Sequence, residues 1–217
     1  MARNPFAVST VPPIIKWLLI ANGLAFLWRV YDPSFVLANF ALWPIGSYPA
    51  ETGHSIIQVG FEPWQLATYG FLHAGVAHLF FNMFGLWMFG RVLEVAWGQW
   101  RFLAYYAVCV VGAGVIQVAS LYFASSYGAP APTIGASGGV FGVLLAFGVM
   151  FPNARVMLLI PPIPMAAKWF VLGYGALELF FGVTGTNAGV AHFAHLGGMA
   201  FGAGLLLYWW RQGRLLN

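Results

Sequence analysis

The chain has 217 residues, of which 61% are hydrophobic and only 6% are charged. A soluble domain usually has about 25% charged residues, so this composition excludes an ordinary soluble protein and predicts one that lies in a lipid bilayer. The net charge of +4 does not indicate a nucleic-acid partner, because the basic residues are scattered and form no phosphate-binding patch.

Six apolar stretches are long enough to cross a membrane as helices, since about 20 apolar residues span the hydrocarbon core. We predict an all-α polytopic protein in which residues 1–217 form a single membrane domain. Residues 1–13 would be a cytoplasmic N-terminal segment, about 14–210 the six-helix core, and 211–217 a cytoplasmic tail. The predicted spans are approximately 14–31, 76–93, 100–122, 136–152, 166–183 and 190–210.

The first predicted span has no small-residue cleavage site, so we expect it to be retained and not removed as a signal peptide. A long segment of about 32–75 separates it from the second span. This segment is partly apolar and contains Trp43, Pro44, Trp64 and several glycines. Loops of that length in a compact domain usually have a function, and we predict that this one is partly embedded in the membrane interface.

Lys and Arg residues determine the predicted orientation, because cytoplasmic loops carry the positive excess. Basic residues precede span one, lie between spans two and three and between four and five, and follow span six. The segments 32–75, 123–135 and 184–189 contain none, and only Arg29 lies toward the other side. We therefore predict a protein of the inner (cytoplasmic) membrane with both termini in the cytoplasm.

Three polar clusters lie within the predicted spans or at their outer ends, where polar side chains are costly and are functional candidates by default. In the predicted orientation spans two, four and six all descend from the outer side, so the clusters lie at similar depth in the outer half of the membrane. They are His73, His78 and Asn82 at the start of span two, Ser137 and Gly138 at the start of span four, and His192, His195, Gly198 and Gly202 in span six.

Ser137 and His195 are the candidate catalytic pair, because a serine hydroxyl becomes a good nucleophile only when a base such as histidine removes its proton. Ser137 opens a helix, whose free N–H groups and positive dipole end favour an oxyanion nearby. Gly138 leaves room for a substrate backbone. Gly198 and Gly202 share the helical face of His195, and glycines four apart allow close helix contact in membranes. Such a contact would bring serine and histidine together.

Other polar residues have two interpretations each. His78 and Asn82 share one helical face and would either donate hydrogen bonds to an oxyanion or simply join helices. His192 is either a second ligand or a satisfied core histidine, and we favour the latter. Glu178 lies within span five, and we favour a structural hydrogen-bond partner over a third catalytic residue. Glu94 is expected to pair with Arg91 or to cap neighbouring backbone.

In these residues the chain resembles the rhomboid intramembrane serine proteases over about residues 60–205. The resemblance implies a six-transmembrane-helix bundle with Ser137 as nucleophile and His195 as general base. It also implies that His78, Asn82 and the Ser137 backbone N–H form the oxyanion hole, next to Gly138. The matching motifs are His73-x4-His78-x3-Asn82, Gly90-x3-Glu94, Gly135-x-Ser137-Gly138 and Ala194-His195-x2-Gly198-x3-Gly202.

Two positions depart from the family's pattern. Gln65 follows Trp64 where the family often has arginine, and we expect the first loop to be held less firmly as a result. Phe141 stands where tyrosine is frequent, four residues after the serine, and its ring can still stack on His195.

Other intramembrane protease classes lack their required residues here. An aspartyl protease needs two membrane aspartates and the chain has only Asp32, while a metalloprotease helix would need His-Glu-x2-His, which does not occur. The acids offer no obvious third member, so we predict a Ser–His dyad whose base is oriented by stacking and packing, not by a carboxylate. No metal or cofactor is expected.

The predicted partners are membrane lipid and, by family resemblance, single-pass transmembrane proteins cleaved near the outer face. The main alternative is a non-catalytic member of the superfamily that binds or escorts membrane-protein clients. A transporter is disfavoured because the two halves show no repeat. The sequence does not indicate an oligomeric state.

Overall fold

The computed structural model describes residues 6, 10–52, 55–124, 131–157, 162–185 and 190–215. These residues are mostly helical. The α-helices are α1 (Pro13–Tyr31), α2 (Pro33–Phe40), α3 (Gln65–Thr68), α4 (Val76–Gly85), α5 (Arg91–Trp97), α6 (Gln99–Ala124), α7 (Ser137–Met150), α8 (Ala167–Thr184) and α9 (His192–Arg211). A 3-10 turn over Tyr69–Phe71 follows α3, and a π-helical turn over Leu86–Gly90 joins α4 to α5 in one continuous helix.

The mostly helical structure agrees with the predicted all-α class. Two short antiparallel hairpins, which the sequence did not predict, connect some of the helices. The first pairs β1 (Tyr48–Thr52) with β2 (Ser55–Val59), and the second pairs β3 (Arg155–Met157) with β4 (Pro164–Ala166). Both occur between predicted spans, the first of them in the long segment of about 32–75. Backbone N–H and C=O groups outside a helix still need partners, and ladder pairing supplies them here.

Three helical stretches among the described residues are long and apolar enough to cross a membrane, and they confirm a multi-pass membrane protein. They are Pro13–Tyr31, Val76–Trp97 and Gln99–Phe123, and the shorter helix Ser137–Met150 is also apolar. The second runs further than expected because its stop signal is Gly98, whose φ of +82° favours glycine and ends the helix. The remaining two predicted spans correspond in position to α8 and α9.

Glu94 fixes the start of α1 against the end of the second apolar helix. Its two carboxylate oxygens accept hydrogen bonds from the backbone N–H groups of Ile14 and Ile15, each at 2.9 Å. A negative charge at this position satisfies free N–H groups and complements the helix dipole. The backbone-capping interpretation of Glu94 is confirmed, whereas the Arg91 guanidinium lies over the Trp87 ring, 4.4 Å from its centroid.

Close glycine contacts hold α9 against α7 and α6. A Cβ atom at Gly198 would overlap the backbone carbonyl oxygen of Gly138, and one at Gly142 would lie 3.0 Å from the carbonyl oxygen of Gly198. The predicted contact between these two helical faces is thereby confirmed. Gly202 faces α6 instead, where a Cβ atom would overlap the hydroxyl of Tyr105.

Gln65 organises the segment between α1 and α4. It is completely buried; its Oε1 accepts from the backbone N–H groups of Trp43 (3.1 Å) and Glu62 (3.2 Å), and its Nε2 donates to the Gly60 carbonyl at 3.1 Å. We expected a glutamine to hold this loop less firmly than an arginine. The structure shows it bonded to three separate backbone groups, so the loop has a well-connected anchor at this position.

Candidate active site

The first candidate residue, Ser137, is the first residue of α7, and the segment before it is tied to the rest of the fold. Thr133 and Leu42 exchange two backbone hydrogen bonds of 2.8 and 3.0 Å, and the Gly135 N–H donates to the Tyr69 carbonyl at 3.0 Å. Gly135 has a φ of +137°, which L side chains rarely adopt. These contacts fix the turn that delivers the serine to the start of its helix.

Ser137 and His195 are hydrogen-bonded although they are 58 residues apart in the sequence. The Nε2 atom of His195 lies 2.7 Å from the Oγ atom of Ser137. The glycine contact between α7 and α9 sets this distance, because it brings the first turns of the two helices together. The sequence made this contact conditional on the two glycine-bearing faces meeting, and in the structure they meet. The geometry lets the ring nitrogen accept the hydroxyl proton.

Two neighbours orient the His195 ring. The Phe141 ring stacks on it with centroids 4.3 Å apart and planes inclined by 9°, as predicted. On the other side of the ring, Nδ1 lies 2.8 Å from Oε2 of Glu178. We expected only stacking and packing around this ring, but a carboxylate also contacts it, because α8 carries Glu178 to the nitrogen opposite the serine.

Glu178 is shared with a second histidine. The same Oε2 atom lies 2.6 Å from Nδ1 of His192, and all three side chains are buried. Among the described residues, the His192 Nε2 atom has no hydrogen-bond partner. His192 is therefore a core histidine with one of its two nitrogens paired, and Glu178 is a hydrogen-bond partner as expected.

The cluster of Glu178, His192 and His195 contains metal-binding residue types, but its spacing is that of hydrogen bonds. The oxygen-to-nitrogen distances are 2.6 and 2.8 Å. Two ligands of a tetrahedral zinc ion, each about 2.0–2.1 Å from the metal, lie roughly 3.3 Å from one another. The observed distances fit shared protons better than a shared ion.

His78 is placed to donate a hydrogen bond near Ser137. Its Nδ1 accepts from the Ala74 backbone N–H at 3.3 Å, so the neutral ring carries its proton on Nε2. A Cβ atom at Gly135 would lie 2.9 Å from that Nε2 and 3.5 Å from the Ser137 Oγ. The missing side chain of Gly135 thus leaves space between a donor and the hydroxyl, where a substrate oxygen can fit.

Asn82 and His73 flank His78. The Asn82 amide nitrogen donates to the His78 carbonyl at 3.0 Å, and because it carries two hydrogens the second can still bind a ligand. His73 is completely buried and meets the His78 ring edge to face at 5.0 Å. It lies outside the predicted spans, and burial lowers its pKa to about 4. His73 is therefore neutral near pH 7 and packs against the His78 ring.

Comparison with known protein families identifies the family of this chain. Residues 60–212 match the rhomboid domain family. The chain belongs to the rhomboid family. It is 39% identical over 107 residues to the rhomboid protease GluP of Bacillus subtilis, which is 49% of this chain and 19% of that protein.

Mitochondrial rhomboids match over longer stretches. Rhomboid protein 1 of Saccharomyces cerevisiae is 28% identical over 219 residues, covering 95% of this chain and 58% of the relative. The presenilin-associated rhomboid-like protein of Mus musculus is 31% identical over 208 residues, covering 89% and 48%. This rhomboid thus spans roughly half the length of the mitochondrial relatives.

A cavity of about 850 Å³ opens at the site of this rhomboid. Ser137, His195, His78 and Asn82 line its polar end. Much of the rest is lined by apolar side chains of α4, the π-helical turn, α7, β3 and α8. The apolar part includes Phe81, Met88, Leu144, Val156, Phe170 and Tyr174. Sequence reasoning missed this wall, because apolar residues in a membrane helix carry no signal that separates lipid-facing from cavity-facing positions.

Proposed function

We propose that this rhomboid is an intramembrane serine endopeptidase that acts through Ser137 and His195. The observation that carries the proposal is the 2.7 Å contact between the His195 Nε2 and the Ser137 Oγ at the polar end of a cavity. A nucleophile within hydrogen-bond reach of a base, with the base held by further groups, is the arrangement that acyl transfer requires.

The proposed reaction begins when the Ser137 oxygen attacks the scissile carbonyl carbon while His195 Nε2 takes the hydroxyl proton. The carbonyl oxygen becomes an oxyanion that accepts from His78 Nε2–H, the Asn82 amide and the Ser137 backbone N–H. His195 then gives the proton to the leaving amine as the C–N bond breaks, which forms an acyl-enzyme. Water attacks the ester, His195 takes the water's proton, and that proton returns to the serine as the acid product leaves.

We further propose the six-span topology with both termini in the cytoplasm and the site open to the outer side. The absence of Lys and Arg from segments 32–75, 123–135 and 184–189 supports this orientation. The same charge pattern suits the inner membrane of a cell. The relatives include mitochondrial as well as Bacillus proteins, so their names do not favour a bacterial membrane over a mitochondrial one.

The proposed substrates are single-pass transmembrane proteins. An extended chain must reach Ser137 from the membrane, and a cavity with one polar end and apolar walls suits a segment that has left its helix beside lipid. The family resemblance implies small residues at the cut and helix-destabilising residues nearby. No cofactor is required by the proposed steps, since each proton has a protein or water acceptor.

A serine-directed fluorophosphonate probe tests the proposal. We expect the purified, folded protein to be labelled, and Ser137→Ala to be unlabelled while it keeps the same thermal stability in detergent. Ser120→Ala is a matched control that should still be labelled, because the Ser120 hydroxyl donates to the Gln117 carbonyl and Ser120 is not among the described residues that line the cavity. Labelling that persists in Ser137→Ala would contradict the assignment of Ser137 as the nucleophile. A folded wild-type protein that is never labelled would favour the client-binding alternative.

A further inference from the structure

We infer that Glu178 is a positioning residue for the general base and that His192 holds the Glu178 carboxylate in place. This inference rests on the proposed protease function and adds two members to it. It follows from a continuous series of three hydrogen bonds, from His192 through Glu178 and His195 to Ser137.

The proton positions follow from the donor and acceptor inventory. If His195 Nε2 accepts from the serine hydroxyl, the neutral ring carries its proton on Nδ1 and donates it to Glu178 Oε2. His192 Nδ1 donates to the same oxygen. Oε2 accepts both bonds, and an ionised carboxylate makes them charge-assisted and therefore stronger than bonds to a neutral acid. The carboxylate thus selects the His195 tautomer whose Nε2 lone pair faces Ser137.

This arrangement matters most when His195 becomes positively charged. During the attack the ring takes a proton, and an imidazolium in a buried, low-dielectric site is costly without a nearby anion. Glu178 is buried and already in contact with the ring. It can therefore stabilise the developing charge without rearranging, which lowers the barrier but leaves the binding of the uncharged substrate unchanged.

The role of His192 follows from its shorter contact. Glu178 is on α8, and a single hydrogen bond to His195 would let its side chain rotate. The 2.6 Å contact from the His192 Nδ1 supplies a second fixed point from the N-terminal end of α9. His192 lies outside hydrogen-bond reach of Ser137 in the described contacts, so it acts on the reaction through Glu178.

The simpler explanation is that the cluster only joins α8 to α9. A substitution that preserves the shape of the Glu178 side chain distinguishes this joining role from the positioning role. In Glu178→Gln the amide oxygen can still accept hydrogen bonds but carries no charge. A joining role predicts a less stable protein whose folded fraction has wild-type kinetics. A positioning role predicts a folded protein with an unchanged KM and a lower kcat.

The experiment measures kcat and KM of reconstituted wild type, Glu178→Gln and Glu178→Asp on one transmembrane reporter peptide. We expect Glu178→Gln to lower kcat by up to about 10⁴-fold, the size of the loss when the triad acid of a serine protease is replaced, with KM within about twofold. Glu178→Asp keeps the charge with a shorter reach and should recover part of that loss. Glu94→Gln is the matched control, because Glu94 is a buried carboxylate whose hydrogen-bond partners among the described residues are backbone N–H groups at the start of α1. This variant should have lower stability but an unchanged kcat.

His192 is tested by a second pair of variants. Asparagine can place an amide N–H near the former Nδ1 position, whereas leucine has no donor. We expect His192→Asn to keep most of the wild-type kcat and His192→Leu to lose more, both at unchanged KM. Wild-type kcat in folded Glu178→Gln, or equal kcat in His192→Asn and His192→Leu, would overturn the inference. A wild-type protein that neither cleaves nor labels would instead overturn the proposed function.

Discussion

Gly198 of α9 contacts the backbone carbonyl of Gly138 in α7, and this contact sets the distance between Ser137 and His195. Gly138 follows Ser137 directly, and Gly198 lies three residues after His195. The separation of the two helix backbones at this point therefore determines whether the serine hydroxyl and the imidazole can meet.

Gly198→Ala should separate these helices and disrupt the site, because its Cβ would overlap backbone, which cannot move aside as a side chain can. Overpacking of this kind costs about 1–3 kcal/mol or more. We expect a lower melting temperature and loss of fluorophosphonate labelling. Gly204→Ala in the same helix is the control, since nothing lies within 4 Å of its Cβ position. Equal stability and labelling of the two variants would contradict the role given to this contact.

Asn82→Ala should slow cleavage without abolishing it, because the other two proposed oxyanion donors remain. Loss of one such donor lowers kcat about 10²- to 10³-fold. For Asn82→Ala we expect kcat to fall by about 10²-fold or less, with KM nearly unchanged. Asn39 is a matched control, because its amide also donates to the carbonyl four residues earlier, that of Phe35, at 2.8 Å. Loss of kcat in Asn39→Ala as large as in Asn82→Ala would argue against an oxyanion role.

Phe141→Leu should lower kcat modestly, since the stacked ring helps to hold the His195 imidazole in its plane. Aromatic pairs contribute about 0.5–1.5 kcal/mol, which corresponds to roughly a two- to tenfold change in rate. Phe141→Tyr keeps the ring and should remain within about twofold of wild type. Steady-state cleavage of the reporter peptide measures both, and a larger effect of tyrosine than of leucine would exclude stacking as the cause.

His73 should make the folded state sensitive to acid. Burial lowers its pKa from an ordinary 6.5 to about 4, so the unfolded chain binds this proton more readily than the folded one. The contribution of the neutral side chain is fully present above pH 6.5 and is lost as the pH falls toward 4.

Melting temperatures measured from pH 7 to 4 test this point. The wild-type protein should lose stability across that interval, and His73→Phe should lose less, because phenylalanine keeps a ring against His78 but cannot bind a proton. Parallel curves for the two proteins would show that another group causes the acid sensitivity.

The sequence predicts most of the site because its signals are local. The Lys and Arg distribution put three polar clusters at one depth, and glycines spaced by four marked the faces that bring Ser137 and His195 together. The stacking of Phe141 on His195 was expected from the rhomboid resemblance, in which an aromatic residue stands four positions after the serine.

The rest depends on contacts between distant segments. Glu178 is on a different helix from His195, 17 residues earlier, and no periodic pattern fixes the rotation of one helix relative to another. The roles of Gln65 and the two hairpins were missed for a related reason, since each is determined by backbone groups that only the folded loop brings within reach.

The most direct test of the central claim is cleavage of a single-span reporter protein in liposomes by wild type, Ser137→Ala and His195→Ala, with the cut site read by mass spectrometry. The proposed mechanism predicts one cut near one membrane face for wild type and none for either variant, although all three fold with similar melting temperatures. Cleavage at the same bond by either variant, or no cleavage of any single-span substrate by the folded wild type, would contradict it.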